Sequence, residues 1–527
     1  MPLPENSANS EWPPLWWKPN QHLIDEARAW LVGSVTSLSM FYGASQRQVH
    51  QAWRQRLANA IQGKAESTTS PSDRLHVPLP RQVARTSASL LFSDGFTFAY
   101  PEAEVKVAEG QAIPPEAQAA QVLQSELQTM IDKDAWTSKL WQAAYVSSGE
   151  GGIYLLPAWY KGSTTPTMRV VHHNRGIPVF IGGKLVECTV WTVVGKESDG
   201  RTVWRHLEVH TPGRVQHALY RGTLDKLGDR KSLGDHRVTA QIEADREGIF
   251  DLTRVGLEST ELMVDYVPNL LPHPVTLDGN IGGADTAGIE DQLYALDTAD
   301  SGWEADVRVG KRRILVDEGM LERSGRGDGA SFDTDREVFV AMSDSPLESH
   351  DPIRPIDFDI RATDFKTTVE DRFARTSTAA GYNPESVTWA QGDGPMTATE
   401  VLSRDSLSRD TTNAKRRYFT PALVAQANKH LRIAKALGGI ASEPKTPELR
   451  WPQVDNGDQA TTADLINTLA LAGAISIYRK VQLANPEWDD MAIRQEVDRI
   501  REDNGQTVAA PEADLESDRT GDSDSEE

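Results

Sequence analysis

Cysteine is all but missing: Cys188 is the only one in 527 residues. A single thiol excludes an internal disulfide framework and a cysteine-based zinc site. Its place in the strand-like run "KLVECTVWTVVG" reads as that of a small buried hydrophobe. Long apolar runs are missing as well. No stretch of about 18 apolar residues exists, and the opening "MPLPENSANSEWPPLWWKPN" has neither a basic n-region nor an apolar h-region. No membrane span or signal peptide is predicted, and a soluble product made in a cytosol is expected. Positive charge is in short supply, with 55 Lys and Arg against 77 Asp and Glu, a net charge of −22. Tight nucleic-acid binding is therefore disfavoured, because that affinity comes mainly from cations neutralising phosphates.

Catalytic signatures are also lacking. No GxxxxGK[ST], GxSxG, HExxH or Cys/His nucleophile pattern occurs. Gly149, Gly151 and Gly152 follow a helix and precede a strand, the reverse of the order that aims a helix N-terminus at phosphate, and read as a turn. "GNIGGAD" does precede a helix but has no lysine, and reads as a helix-entry loop. As a calcium loop from Asp278 it fails, since its twelfth position is Ile289. His206 and His210 sit in a strand pattern, where i and i+4 lie about 13 Å apart on one face, too far for one zinc ion. Asp333 and Asp335 form a DxD in an acidic loop, and Arg326-Gly327-Asp328 is a three-residue match of little specificity. Catalytic, cofactor-binding and metal-ligating residues are all expected to be none.

What the chain does have is 39% hydrophobic residues, enough for real cores over two to four domains. The first 65 residues read as amphipathic helices. A Ser/Thr/Pro loop leads to a helix and strand in "LHVPLPRQVARTSASLLFSDGFTFAYP", then a helix from Pro115 to Ser147. From Met168 to Gly222, short alternating runs predict an antiparallel meander. Ile289, Leu293, Leu296, Trp303 and Val307 then predict a helix, with Asp285, Glu290 and Asp291 at its start and Lys311, Arg312 and Arg313 at its end, as the helix dipole favours. An irregular β-rich stretch follows, then a helix carrying Phe365, Val369 and Phe373, with Gly381 suited to its C′ position.

In "GDGPMTATEVLSRDSLSRDTTNAKRRYF", Thr397 and Glu400 form a capping box stapled by Met396 and Val401. This begins a helix broken near Thr420-Pro421 and resuming to Gly438. Its apolar residues are few, so support from outside the helix is expected, from other copies of the same chain. "ELRWPQV" reads as a strand, and "TTADLINTLALAGAIS" with "PEWDDMAIRQEVDRIRED" as a helical pair. The tail from Glu512 to Glu527 carries eight acids against Arg519 and is expected to be disordered.

The phrases "LHVPLPRQVARTSASLLF", "LWQAAYVSSGEGGIYLLPAWY", "VDYVPNLLPHP", "GIEDQLYALDTADSGWEADVRVGKRRILV", "MTATEVLSRDSLSRDTTNAKRR" and "LAGAISIYRKVQLANPEWDDMAIRQEVDRI", in this order from about Leu75 to Glu502, resemble the portal proteins of tailed bacteriophages, especially siphophages of actinobacteria. That family forms a ring, usually of twelve subunits, at one capsid vertex, with double-stranded DNA passing through its channel. The resemblance implies an α+β portal fold: a mixed α/β wing (1–284), a helical stem (285–309 and 359–381), a β-rich clip (310–358), a tunnel loop (382–395), a long kinked spine helix (396–440), a helical crown (441–505) and an acidic tail (506–527). It implies DNA-facing roles for Tyr382, Asn383, Glu385, Ser386, Thr388, Trp389, Gln391 and Asp393. On the spine helix, Arg404, Arg409, Lys415 and Arg416 would pair with Glu400, Asp405 or Asp410 of the same or the next subunit.

The implied partners are further copies of the chain, DNA, the terminase large subunit, a head-tail adaptor, and the major capsid and scaffold proteins, with no membrane and no cofactor. The implied location is the virion's capsid vertex, and the host cytoplasm during assembly. The other readings weighed are a metal-dependent hydrolase using acidic-loop carboxylates and a different head-tail adaptor protein.

Overall fold

The computed structural model describes residues 10–42, 75–104, 113–309, 313–317, 340–342, 353–356, 361–387, 398–452 and 466–503, with Leu3 and apart from isolated positions within these ranges. It divides into two compact units, residues 1–393 with 405–452, and 394–404 with 453–527.

In the first unit, α1 (Lys18–Val32) and α2 (Val35–Tyr42) precede α3 (Leu79–Phe92) and the short strand β1 (Thr97–Ala99). The helix expected from Pro115 to Ser147 is two helices, α4 (Pro115–Lys133) and α5 (Trp136–Glu150). The break has an identifiable cause. Ala135 takes left-handed dihedrals (φ 52°), and the Asp134 carboxylate turns away to accept from Lys139 Nζ at 2.5 Å and from the Met168 backbone N–H at 2.7 Å.

The meander is present from Gly176 onward, while its first expected run, at Met168, belongs to a separate sheet. Strands β4 (Gly176–Ile181), β5 (Lys184–Lys196), β6 (Val203–Thr211), β7 (Arg214–Gly222) and β8 (Asp229–Lys231) follow one another in an antiparallel sheet, with β9 (Ile249–Asp251) pairing β7. A second sheet orders β10 (Asp265–Pro268), β2 (Gly152–Ala158) and β3 (Thr167–His172). Cys188 is fully buried in β5, as its setting predicts. His206 and His210 lie on one face of β6, 3.6 and 3.7 Å from the two oxygens of Glu208 between them. Burial works to raise the Glu208 carboxyl, but Arg169, 2.8 Å away, and the histidines hold it well below the usual carboxylate range.

The helix α6 (Glu290–Val309) and the helix α7 (Ala362–Ala379) run antiparallel side by side. Asp306 near the end of α6 pairs with Arg361 at the entry to α7, and Arg372 Nη1 donates to the Ala295 carbonyl at 2.7 Å. Gly381 (φ 87°) follows α7 as expected. Between these helices, β11 (Arg313–Asp317) pairs parallel with β12 (Val340–Met342) and antiparallel with β13 (Ile353–Ile356).

A short helix α8 (Pro384–Val387) precedes α9 (Ala398–Ala436), which is 39 residues long and runs through Pro421 without interruption. The expected break is thus absent. Proline removes one helical hydrogen bond and crowds the preceding turn. Here Phe419 on one side of it and Ala422, Leu423, Ala427 and Leu431 on the other are buried in the same core. That shared core holds both halves in one helix. The strand β14 (Glu448–Arg450) pairs with β1. In the second unit a helical run at 466–471 precedes α10 (Ile477–Ala484) and α11 (Asp490–Asp503), so the expected pair has an additional helix between its members. Thr397, Met396 and the acidic tail lie outside the described residues.

One close approach sets up the site below. At the end of α5, Gly151 has φ 89°, and a Cβ there would lie 2.5 Å from the Gly282 carbonyl oxygen. The Asn269 N–H donates to the Gly151 carbonyl at 3.0 Å, and the Asp285 N–H to the Ser148 carbonyl at 2.9 Å. Replacing Gly151 by Ala adds both a backbone penalty and a clash with backbone that cannot move alone. The expected outcome for Gly151→Ala is a loss of about 2 kcal/mol or more of subunit stability in urea titration.

Candidate functional site

The loop entry after α7, the segment that leads into α6 and the middle of α9 meet at one buried cluster. Helix α9 sends Ser408, Thr412, Lys415, Phe419, Ala422, Leu423 and Gln426 into the protein at helical spacing, so its first buried turns are polar. Lys415 is 1% exposed, and its ammonium group uses all three of its donors. Nζ lies 2.6 Å from Asp285 Oδ2, 2.7 Å from Ser87 Oγ on α3 and 2.9 Å from the Tyr382 hydroxyl.

Asp285 is equally well partnered. Its Oδ2 accepts from the Ser148 hydroxyl of α5 at 2.6 Å and from the Tyr382 hydroxyl at 3.0 Å, and its Oδ1 accepts from Asn269 Nδ2 at 2.7 Å. Ser87, Ser148, Asn269 and Tyr382 are all buried. Burial lowers the Lys415 pKa, and the adjacent Asp285 charge opposes that shift. The Tyr382 hydroxyl is pushed well above its ordinary value by burial first and by Asp285 second.

Around the cluster the loop entry is stitched to α9. Thr411 Oγ1 donates to the Gly381 carbonyl at 2.7 Å, and the Asn383 N–H donates to Ser408 Oγ at 2.9 Å. Ser386 and Ser408 share a hydroxyl contact of 3.1 Å, and Thr86 on α3 donates to the Ser386 carbonyl at 3.2 Å. A second polar junction holds α9 further along. Gln426 Nε2 and Lys429 Nζ both reach Asp265 Oδ2, at 2.6 and 2.7 Å, and Arg432 Nη1 lies 2.8 Å from Glu261.

These contacts revise several expectations. Tyr382 does not face DNA; it is fully buried because its hydroxyl bridges Lys415 and Asp285. Lys415 pairs with Asp285 of its own chain rather than with an acid of the spine helix. Arg416 turns to Trp451, its guanidinium carbon 5.1 Å from the ring centroid, and is also drawn to Asp94. Asp285 is no helix-start acid, since α6 begins at Glu290.

Asn383 and Ser386 are half-buried and Glu385 is exposed, as are Asp410 and, in part, Arg409. Thr388, Trp389, Gln391 and Asp393 lie outside the described residues, as do the side chains of Glu400, Arg404 and Asp405. Ser87, Ser148 and Asn269 carry no sequence motif. Lys415 could have been found, because it falls on the buried stripe between Thr412 and Phe419.

The cluster is a positioning device rather than a reactive centre, because every polar atom facing the ammonium is already engaged. Its energetics follow from burial. Removing one member of a buried ion pair leaves the other charge uncompensated, at about 3–5 kcal/mol. Lys415→Met is expected to destabilise the subunit by that amount in urea denaturation. Combining it with Asp285→Asn should cost clearly less than the sum of the two single changes.

A model of the family described as phage portal protein, SPP1 Gp6-like, matches residues 50–509. No curated protein matches. Among solved structures, the neck of a native GTA particle computed with C12 symmetry is 12% identical with a TM-score of 0.38, covering 77% of this chain and 88% of that one. The neck of an empty GTA particle computed with C6 symmetry is 14% identical with a TM-score of 0.40, at 77% and 88% coverage. The virion of a native gene transfer agent particle gives 12% identity, a TM-score of 0.33 and coverage of 76% and 93%. The likeness to these three is loose, and the family match carries the assignment.

Proposed function

The chain belongs to the SPP1 Gp6-like phage portal protein family, and on that premise we propose that it works as a ring of about twelve copies at one capsid vertex, through which double-stranded DNA is packaged and ejected. The observation that carries this reading is the extent of the family match, residues 50–509. The terminase large subunit, a head-tail adaptor, and the major capsid and scaffold proteins are the partners this role calls for. The host cytoplasm is where assembly would take place. The role needs no catalysis. The net charge of −22 suits it, because a conduit for a polyanion must not hold what passes.

Within the ring, the loop from 382 to 395 is proposed to approach passing DNA. Tyr382, Asn383 and Ser386 belong to its anchored root, so the DNA-facing portion starts beyond Val387 and includes Thr388, Trp389, Gln391 and Asp393. Its charged residues are Glu385 and Asp393, with no Lys or Arg. Contact with DNA would therefore be steric and polar.

The test is native mass spectrometry with negative-stain imaging of the purified chain, assayed in parallel for ATP turnover. A cyclic homo-oligomer with an axial opening and no ATPase activity is expected. Monomer alone at micromolar concentration would overturn the ring, and turnover that persists through purification would favour the hydrolase reading.

A further inference from the structure

The sheet of β4 to β9 and the sheet of β10, β2 and β3 are joined by an apolar core and by one polar cluster. In the core, Tyr154, Leu156 and Val171 of the smaller sheet pack with Cys188, Val190, Val215 and Phe250 of the larger. The register puts the polar cluster on the same face, since Val190 stands opposite Glu208, and Cys188 and Val215 stand opposite His210. Arg169 on β3 reaches across to Glu208 on β6, its Nη2 2.8 Å from Oε1. His206 Nδ1 lies 3.6 Å from that same oxygen, and His210 Nε2 lies 3.7 Å from Oε2. On the far side of its ring, His206 Nε2 lies 3.2 Å from His217 Nδ1 on β7.

This geometry suits neutral histidines. A contact between two imidazole nitrogens uses one N–H and one lone pair, and two protonated rings would present two N–H groups to each other. A charged His206 would also stand against Arg169 over Glu208 Oε1, where the carboxylate charge is already matched. Burial lowers the His206 pKa, with Arg169 and His210 adding to the shift and Glu208 opposing it. Burial brings His217 down to about 4, again against the pull of Glu208. Glu208 itself is held well below the usual carboxylate range and stays ionised. The Cys188 thiol is pushed up by burial and stays neutral. Lys231 of β8, opposite Leu219, has its ammonium 3.9 Å from Asp229.

We infer that His206 and His217 form an acid-released latch between the two sheets. Near neutral pH the uncharged pair leaves Glu208 to Arg169, and the sheets stay joined. When the pair takes up protons, the contact between the rings is lost and His206 competes with Arg169 for the shared oxygen. A histidine whose pKa is lower in the closed state gains its proton on opening. The latch therefore holds above about pH 6.5 and weakens as the pH falls towards 4. It belongs to the single chain and is independent of the ring proposed above.

The experiment is backbone hydrogen exchange of the full-length chain at pH 7 and pH 5, with labelling times scaled to the intrinsic exchange rate at each pH. Protection of β3, β6 and β7 is expected to fall by about tenfold or more at pH 5, while that of α3 holds. His206→Gln with His217→Gln should keep the protection of the three strands nearly equal at the two pH values. Wild-type strands equally protected at both pH values overturn the latch. So does an equal loss in α3, which would be general acid unfolding, or a variant that folds and still loses its strands. A second arm holds even if that variant does not fold: exchange at the histidine ring C2, read residue by residue in the wild-type chain. Midpoints for His206 and His217 below the ordinary 6.5 are expected, and midpoints of both at that value with the strands still protected contradict the proposal.

Discussion

The contact between the Lys415 ammonium and the Asp285 carboxylate, 2.6 Å apart and withdrawn from water, is the point on which the arrangement of the first unit turns. Two charges in a protein interior persist only when their attraction and their remaining hydrogen bonds together offset desolvation. Here every remaining bond is made, by Ser87, Tyr382, Ser148 and Asn269. Each comes from a different segment, so satisfying the pair fixes where α3, α5, the chain after β10, the exit of α7 and the middle of α9 sit relative to one another. Such a pair specifies one arrangement more than it stabilises the fold, since an apolar replacement of matching shape could be as stable. For a protein whose role is geometric, that specificity is the useful property.

The polar character of α9 takes on a different meaning in this light. A helix with few apolar residues needs support from elsewhere, and the sequence argues for neighbouring copies as its source. Among the described residues, the structure shows such support inside the chain. Lys415 meets Asp285, Gln426 and Lys429 meet Asp265, and Arg432 meets Glu261. The same contacts reach the root of the 382–395 loop through Thr411 and Ser408, so the proposed DNA-facing segment would spring from a fixed base.

Periodic features were legible in the sequence, because each rests on a local pattern. The meander of β4 to β8, the helices α6 and α7 with Gly381, and the buried Cys188 all follow from alternation, helical spacing or setting. What was not legible depends on contacts distant in sequence. The break at Ala135 is set by Asp134 reaching Met168, and the continuity through Pro421 by a core that both halves of α9 share. Tyr382 and Lys415 were misread because tyrosine and lysine are equally at home on a surface, and only a carboxylate 97 or 130 residues away reveals otherwise. The family, by contrast, was recognisable from six short phrases in order, since their order carries information that no single phrase does.

The central claim is that α9 is held by its own chain. Hydrogen exchange of its backbone amides from 406 to 436, compared between dissociated subunits and assembled rings, tests this most directly. The account predicts strong protection in both states, with Lys415→Met lowering it in both. Protection that appears only on assembly would contradict it and return the support of this helix to neighbouring subunits.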